Sequence, residues 1–307
     1  VPAGELRALL QDESLHWGEE LQWDYSEVSS AVASGFERRA LNGRVAHDGL
    51  RAVAYCYYMP DSGRVIVGSV YAREGFRGQG LEEELLEPVL LEAKAVPANH
   101  RVECQTLFST ALAADELFVR SGFEGRARHY LMRDLRPGME TPPHSFRLRA
   151  LRRDDLPAAS DLIYRSHEGT IDAALNLTYS TPALCRGFVE TLVLRAGCGR
   201  FDPEASLVAE GAHGLAGVLL ASHLSRSNGH VCQVSVDPEQ QARGLGTVLM
   251  TRALEAFRAQ GLKTASLSVT VANEPAHRLY CRLGFRLKKE FAAHAWVRPP
   301  ARIELPA

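Results

Sequence analysis

The chain has 307 residues, 46% apolar and 23% charged, which suits a protein with a buried core and excludes a wholly disordered or fibrous one. Its formal charge of -2, from 35 basic against 37 acidic side chains, supplies no global field for nucleic acid or an anionic membrane, so any polyanion bound here is small and locally held. The length suggests two domains of about 150 residues each.

The six cysteines (Cys56, Cys104, Cys185, Cys198, Cys232, Cys281) have no C-x-x-C spacing and fall mostly in apolar stretches. Reduced thiols are expected, with neither a disulfide framework nor a metal site. The opening "VPAGELRALLQDESLHW" lacks a basic-then-apolar leader pattern, and no run approaches the ~18 apolar residues of a membrane span. The expectation is a cytoplasmic protein with no membrane partner.

In the first half the opening helices are the least defined elements. After them come strand-like runs "GRVAHDG", "LRAVAYCYYM" and "RVIVGSVY", a helix "LEEELLEPVLLEAKA", a strand "RVECQTLF", a helix "ALAADELFVRSG" and a strand "RHYLMRDL". Prolines and a glycine in "LRPGMETPPHS" then break every period. The boundary is placed there: a first domain 1–137, a linker 138–145 and a second domain 146–307.

The second half opens with a strand "FRLRAL", a helix "DDLPAASDLIYRSH" and another helical stretch "STPALCRGFVETLVL". Strands "SLVAEG", "GLAGVLLASHLS" and "HVCQVSV" follow, then a helix "GTVLMTRALEAFRAQG", a strand "TASLSVTV", a helix "EPAHRLYCRLG" and two strands, "FRLKKEF" and "HAWVR". Both halves place a valine (Val70, Val236) eight residues before a Gly-X-Gly (Gly78 and Gly80, Gly244 and Gly246) and end the unit on Gly-Phe (Gly122-Phe123, Gly284-Phe285). The chain is therefore read as α/β (α+β), a tandem repeat in which each copy is a mixed, mostly antiparallel sheet flanked by helices.

A glycine turn between a strand and a helix exposes backbone N–H groups at the positive end of the helix dipole, a place for a phosphate. Gly244-Leu-Gly246-Thr-Val-Leu249 lacks the third glycine of a dinucleotide fingerprint, and no Gly-Lys-Ser/Thr is present for a P-loop. A tight turn holding no ligand is the competing reading. The neighbouring residues decide between them. Gln241-Ala-Arg-Gly244-Leu-Gly246 and, downstream, Asn273, Ala276, Leu279, Tyr280, Gly284 and Phe285 resemble the acetyl-CoA motif and the N-x-x-A-x-x-L-Y-x-x-x-G-F motif of the GCN5-related N-acetyltransferase (GNAT) superfamily. The likeness covers residues 146–298 well and the first half loosely.

That resemblance implies acetyl-CoA as co-substrate, no metal, and transfer of an acetyl group to a primary amine by direct attack on the thioester, with a small-molecule or peptide acceptor. It implies that the backbone of Val234, Ser235 and Val236 pairs with the pantetheine arm, with an N–H at Val234 near the thioester oxygen. Residues Gln241, Ala242, Arg243, Gly244, Leu245, Gly246 and Thr247 would hold the pyrophosphate, and Asn273 would bond the pantetheine or cap its helix. Tyr280 stands at the general-acid position, a phenol that is protonated at neutral pH. His230 is the candidate base, with Glu168, Asp172, Glu210 and Gln233 as rivals. Glu168 and Asp172 lie in "RSHEGTIDAALNLTYS", the segment that sets acceptor choice in the family, where they would meet an ammonium group or serve only as solvated or capping carboxylates.

In the first copy Gly75 is set where Gln241 stands, Ala111 near the Asn273 position and Phe118 where Tyr280 stands, and Glu82, Glu83 and Glu84 crowd the helix start. Arg77, Gly78 and Gly80 are candidates for a weaker second CoA site in an otherwise degenerate domain. The alternative to an enzyme is a CoA-responsive binding or regulatory protein without turnover.

Overall fold

The computed structural model describes residues 3–61, 63–96, 99–111, 113–135, 141–195 and 197–299. In chain order its elements are α1 (Ala3–Leu21), α2 (Ser26–Glu37), β1 (Asn42–Asp48), β2 (Arg51–Asp61), β3 (Arg64–Ala72), α3 (Leu81–Ala95), β4 (Arg101–Gln105), α4 (Ala114–Arg120) and β5 (Glu124–Asp134). They continue as β6 (Arg147–Ala150), α5 (Leu156–His167), α6 (Ile171–Leu175), α7 (Pro182–Leu194), β7 (Arg200–Phe201), β8 (Leu207–Gly211) and β9 (Gly214–His223). The last are β10 (Asn228–Val236), α8 (Leu245–Ala259), β11 (Thr264–Thr270), α9 (Glu274–Arg282) and β12 (Arg286–Val297). Of the proposed linker, residues 138–140 lie outside the described residues, as does Pro137, and 141–145 are irregular.

Two compact units are built from interleaved stretches. The first takes the chain up to Glu13, Ser26–Gly125 and the stretch from Ala292. The second takes Ser14–Tyr25 and Arg126–Phe291. In the first unit β2 pairs antiparallel with β1 and β3, β3 runs parallel to β4, and Ala293–Val297 of β12 lie antiparallel against β4. Helix α3 buries Leu86, Val89 and Leu90 against Val65, Val67, Val102 and Phe118. Full burial of each such side chain contributes roughly 1.5–3 kcal/mol.

In the second unit the strand order is β12, β5, β11, β10, β9, β8, β6, with β7 on β9. The β10–β11 pair is parallel, whereas β5–β11, β9–β10, β8–β9 and β6–β8 are antiparallel. Strand β5, which precedes the linker in sequence, is in register with β11 from Arg128↔Thr270 to Asp134↔Thr264. Helix α8 lies close on β10 because Gly229 has no side chain: a Cβ there would meet the Phe257 ring at 2.7 Å.

The mixed, mostly antiparallel sheet flanked by helices is as the sequence suggests. The two closing strands differ from expectation. "FRLKKEF" and "HAWVR" are one strand, β12, because Ala292 and Ala293 between them carry no turn chemistry and both are buried.

Candidate active site

Strand β10 is in register with β11 only from Asn228↔Thr264 to Val231↔Leu267. On its other side Val231 opposes Ala221 and Gln233 opposes Leu220, so Cys232 is the extra residue of a β-bulge. Beyond the bulge β10 stays on β9 as far as Val236↔Gly217. Among the described residues no strand pairs its other edge over residues 233–236. That edge offers backbone N–H and C=O groups to an extended ligand, which binds as an added strand would. The side chains of Val234 and Val236 pack on the core, while Ser235 is buried on the opposite face and accepts a hydrogen bond from Gln233 Nε2 at 2.9 Å.

The strand leads into a short turn over Pro238–Gln240 and then into a loop held in unusual backbone conformations. Ala242 has φ +60°, which costs a residue with a Cβ roughly 1–2 kcal/mol, and Gly244, the N-cap of α8, has φ +85°. The backbone N–H groups of residues 242–247 have no acceptor among the described residues. They are gathered at the positive end of a helix of 15 residues. Gly246 leaves the approach open: a Cβ there would meet nothing nearer than Leu279 Cδ2 at 3.5 Å. The Gln241 amide donates to Val236 O at 3.3 Å, tying the loop to the strand end, and Arg243 is exposed.

Helix α9 closes the same region. Asn273 caps it, accepting from Ala276 N at 3.3 Å, and donates through Nδ2 to Asp172 Oδ2 at 3.3 Å. Asp172, on α6, also accepts from Thr270 Oγ1 at the end of β11. The carboxylate named as an acceptor contact is therefore joined to the cap residue. Asn273→Ala is expected to cost about 1 kcal/mol of stability through the lost cap, read as a lowered midpoint in denaturant unfolding. Tyr280 is 7% exposed, its ring edge-on to Phe285 at 6.1 Å, and its hydroxyl has no hydrogen-bond partner among the described residues. Burial first, then the nearby Asp172 and Tyr179, pushes its pKa above the ordinary phenol value, so it is a proton donor throughout neutral pH.

Two residues in the acceptor segment were not singled out in the sequence. The His167 ring stacks on Tyr179 at 4.0 Å, and the Tyr179 hydroxyl donates to Gln233 Oε1 at 3.0 Å. His167 Nδ1 lies 2.8 Å from Ile163 O, and since a carbonyl only accepts, Nδ1 carries the proton. Nε2 is then the basic nitrogen, 3.5 Å from Gln233 Nε2 beside the free edge of β10. Burial lowers the His167 pKa below its ordinary value. Both residues lie in "RSHEGTIDAALNLTYS", beside Glu168 and Asp172.

The other candidates are placed differently. His230 is 5% exposed, with Nδ1 at 2.9 Å from Ser266 Oγ, and burial pushes its pKa down to about 3. So weak a base has little driving force to take an amine proton at neutral pH. Glu168 is exposed at the end of α5, and Glu210 accepts from Arg149 Nε at 2.8 Å. A cavity of about 510 Å³ lies at the opposite end of β11, lined by Arg133, Thr264, Arg286 and Lys288 among others, and is lined by none of the candidate site residues.

In the first unit the corresponding loop is shifted by two residues from the alignment of the glycines. Gly80, φ +87°, is the N-cap of α3 as Gly244 is of α8, and Gly78, φ +68°, has the conformation of Ala242. Arg77, not Gly75, therefore stands at the Gln241 position, and Glu82 at that of Gly246. Arg77 turns inward, donating to Ala72 O at 2.8 Å and to the Tyr71 hydroxyl at 3.2 Å. Glu82 is fully buried and accepts from Thr110 Oγ1 at 3.2 Å. Phe118 does correspond to Tyr280, since Phe123 N bonds Phe118 O and Phe285 N bonds Tyr280 O, each at 3.0 Å.

Residues 180–285, which span the free strand edge, the loop and α9, match the acetyltransferase (GNAT) family model. The second unit carries a GNAT domain. A mycothiol acetyltransferase of Acidimicrobium ferrooxidans is 37% identical over 117 residues, 37% of this chain and 38% of that protein. Another, of Thermobispora bispora, is 29% identical over 253 residues, 78% of each chain. The first of these alignments thus spans well under two thirds of the relative. Among solved structures the chain is similar to a GCN5-related N-acetyltransferase of Sphaerobacter thermophilus, with TM-score 0.65 and 21% identity over 89% of this chain and 87% of that one. It is also similar to a tandem GNAT protein from the clavulanic acid biosynthesis pathway, with TM-score 0.60 and 17% identity over 85% and 84%.

Proposed function

We propose that the second unit is an acetyl-CoA-dependent N-acetyltransferase acting on a primary amine of a small molecule. The observation that carries this reading is the continuity of a strand edge at residues 233–236 with a loop of N–H groups at 242–247, beside the Tyr280 phenol, none of which has a hydrogen-bond partner there among the described residues. Bound acetyl-CoA supplies the thioester whose acetyl group the amine takes. The edge of β10 holds the pantetheine arm, with the Val234 N–H directed to the thioester oxygen by analogy with the family. The amides of residues 242–247, with Gln241 and Arg243 beside them, hold the pyrophosphate. His167 Nε2 takes the proton that the attacking ammonium must lose, Asp172 faces the acceptor's positive charge, and Tyr280 returns a proton to the departing sulfur.

The names of the two aligned relatives put acceptors of the mycothiol class first in an amine panel, followed by other small amines and peptides. The test is release of free CoA thiol from acetyl-CoA in that panel. Release that depends on the amine supports the reading, and binding of acetyl-CoA without release under any amine would favour a regulatory protein instead.

Assigning the base to His167 fixes the sign of the pH dependence. The imidazole must be neutral to act, and its lowered pKa keeps it neutral to below the ordinary value of about 6.5. Activity is therefore expected to hold as pH falls past that value and then to drop. In His167→Gln, kcat/KM should fall about 10²-fold and lose that acidic limb. An unchanged limb in the variant would remove His167 from the role.

A further inference from the structure

Cys198, in the turn before β7, and His230 and Cys232, on β10, bring one ligand atom each to within 4.8 Å of one another. Two thiols and an imidazole are the donor set of zinc and its neighbours, and not of magnesium or calcium, which take oxygen. Cys232 Sγ lies 4.0 Å from the Cys198 carbonyl oxygen. Two of the three side chains are steadied by a hydroxyl: Ser222 Oγ lies 3.2 Å from Cys232 Sγ, and Ser266 Oγ lies 2.9 Å from His230 Nδ1. Outer contacts of this kind orient metal ligands, and with Nδ1 so held Nε2 is the nitrogen left to a metal. The reading of function given above uses none of the three side chains.

We propose that Cys198, Cys232 and His230 form a binding site for a thiophilic divalent cation, zinc by ligand preference, with three protein ligands and a fourth position open. Binding forms two sulfur–metal bonds and one nitrogen–metal bond and releases the two thiol protons to solvent. Two thiolates then balance the charge of the cation, so the centre is neutral and tolerates its buried position. Zinc–sulfur and zinc–nitrogen bonds of about 2.3 and 2.0 Å set tetrahedral ligand atoms roughly 3.5–3.8 Å apart, within about 1 Å of the widest separation here. The sequence concealed the cluster because its cysteines stand in two separate segments and the bulge at Cys232 is a property of the folded strand.

The test uses the full chain, reduced and stripped with a chelator, titrated with cobalt(II) and then zinc. One equivalent of cobalt should raise a thiolate charge-transfer band in the near ultraviolet, and one equivalent of zinc should abolish it. Cys232→Ser and His230→Gln should weaken cobalt binding at least tenfold, while Cys281→Ser, at an exposed cysteine, should leave it unchanged. If either variant fails to fold, alkylation of the wild-type protein with and without zinc gives the same answer, with Cys198 and Cys232 the two thiols protected. No band in the wild type, a band that survives in Cys232→Ser, or protection of a different pair of thiols would overturn the proposal.

Discussion

Replacing Tyr280 with phenylalanine should lower kcat about 10²-fold or more while leaving acetyl-CoA affinity nearly unchanged. The hydroxyl is the only difference between the two side chains, and it makes no hydrogen bond to a described residue, so packing against Phe285 and the rest of the core is retained. Stability should move by less than about 1 kcal/mol. Because burial and the neighbouring Asp172 and Tyr179 raise the phenol's pKa, loss of the acid form should not limit the wild-type rate anywhere below about pH 10. Steady-state kinetics with an accepted amine, with binding measured separately, provide the check. An unchanged kcat would take the proton-donor role from Tyr280. Phe118 in the first unit is the same substitution already made, in the same backbone setting ahead of Gly122 and Phe123.

The second large effect is expected at the loop. Gly246→Glu should weaken acetyl-CoA binding about 10²-fold or more, because it sets a carboxylate against the amides proposed to hold the pyrophosphate. Gly246→Ala is the control for size. Its Cβ meets only ordinary contacts, Leu279 at 3.5 Å and Val236 at 3.9 Å, so most of the affinity should be retained. The first unit carries that glutamate naturally. Glu82 occupies the matching position on α3, and burial raises its pKa, as expected for a carboxyl taken out of water into a space that a phosphate would need. Equal losses from the alanine and glutamate variants would mean that shape, not charge, decides binding here.

Some of this was written in the residues and some only in their folding. The repeat, the helix α8 and the cap at Asn273 follow from periodicity and from residue types with narrow roles, such as an asparagine ahead of a proline-started helix, whereas Tyr280 is marked only by the family resemblance. The offset between the two loops did not, because two glycines with positive φ look alike in sequence, and only the backbone tells that Gly78 answers to Ala242 and Gly80 to Gly244. His230 is similar. The resemblance makes it a candidate base, but neither its burial nor its bond to Ser266 can be read from a local string. His167 was overlooked because the feature that makes it basic at Nε2 is a hydrogen bond to a carbonyl one helical turn back. Strand β5 pairs in the second unit with β11, whose residues lie 130 to 142 positions further along the chain, and pairing at that distance leaves no local pattern.

A calorimetric titration of the full chain with acetyl-CoA tests the division of labour between the two copies most directly. One site per chain is expected, present in the wild type and lost in Gly246→Glu. Two sites of comparable affinity, or one site that survives Gly246→Glu, would place cofactor binding in the first unit and contradict the assignment.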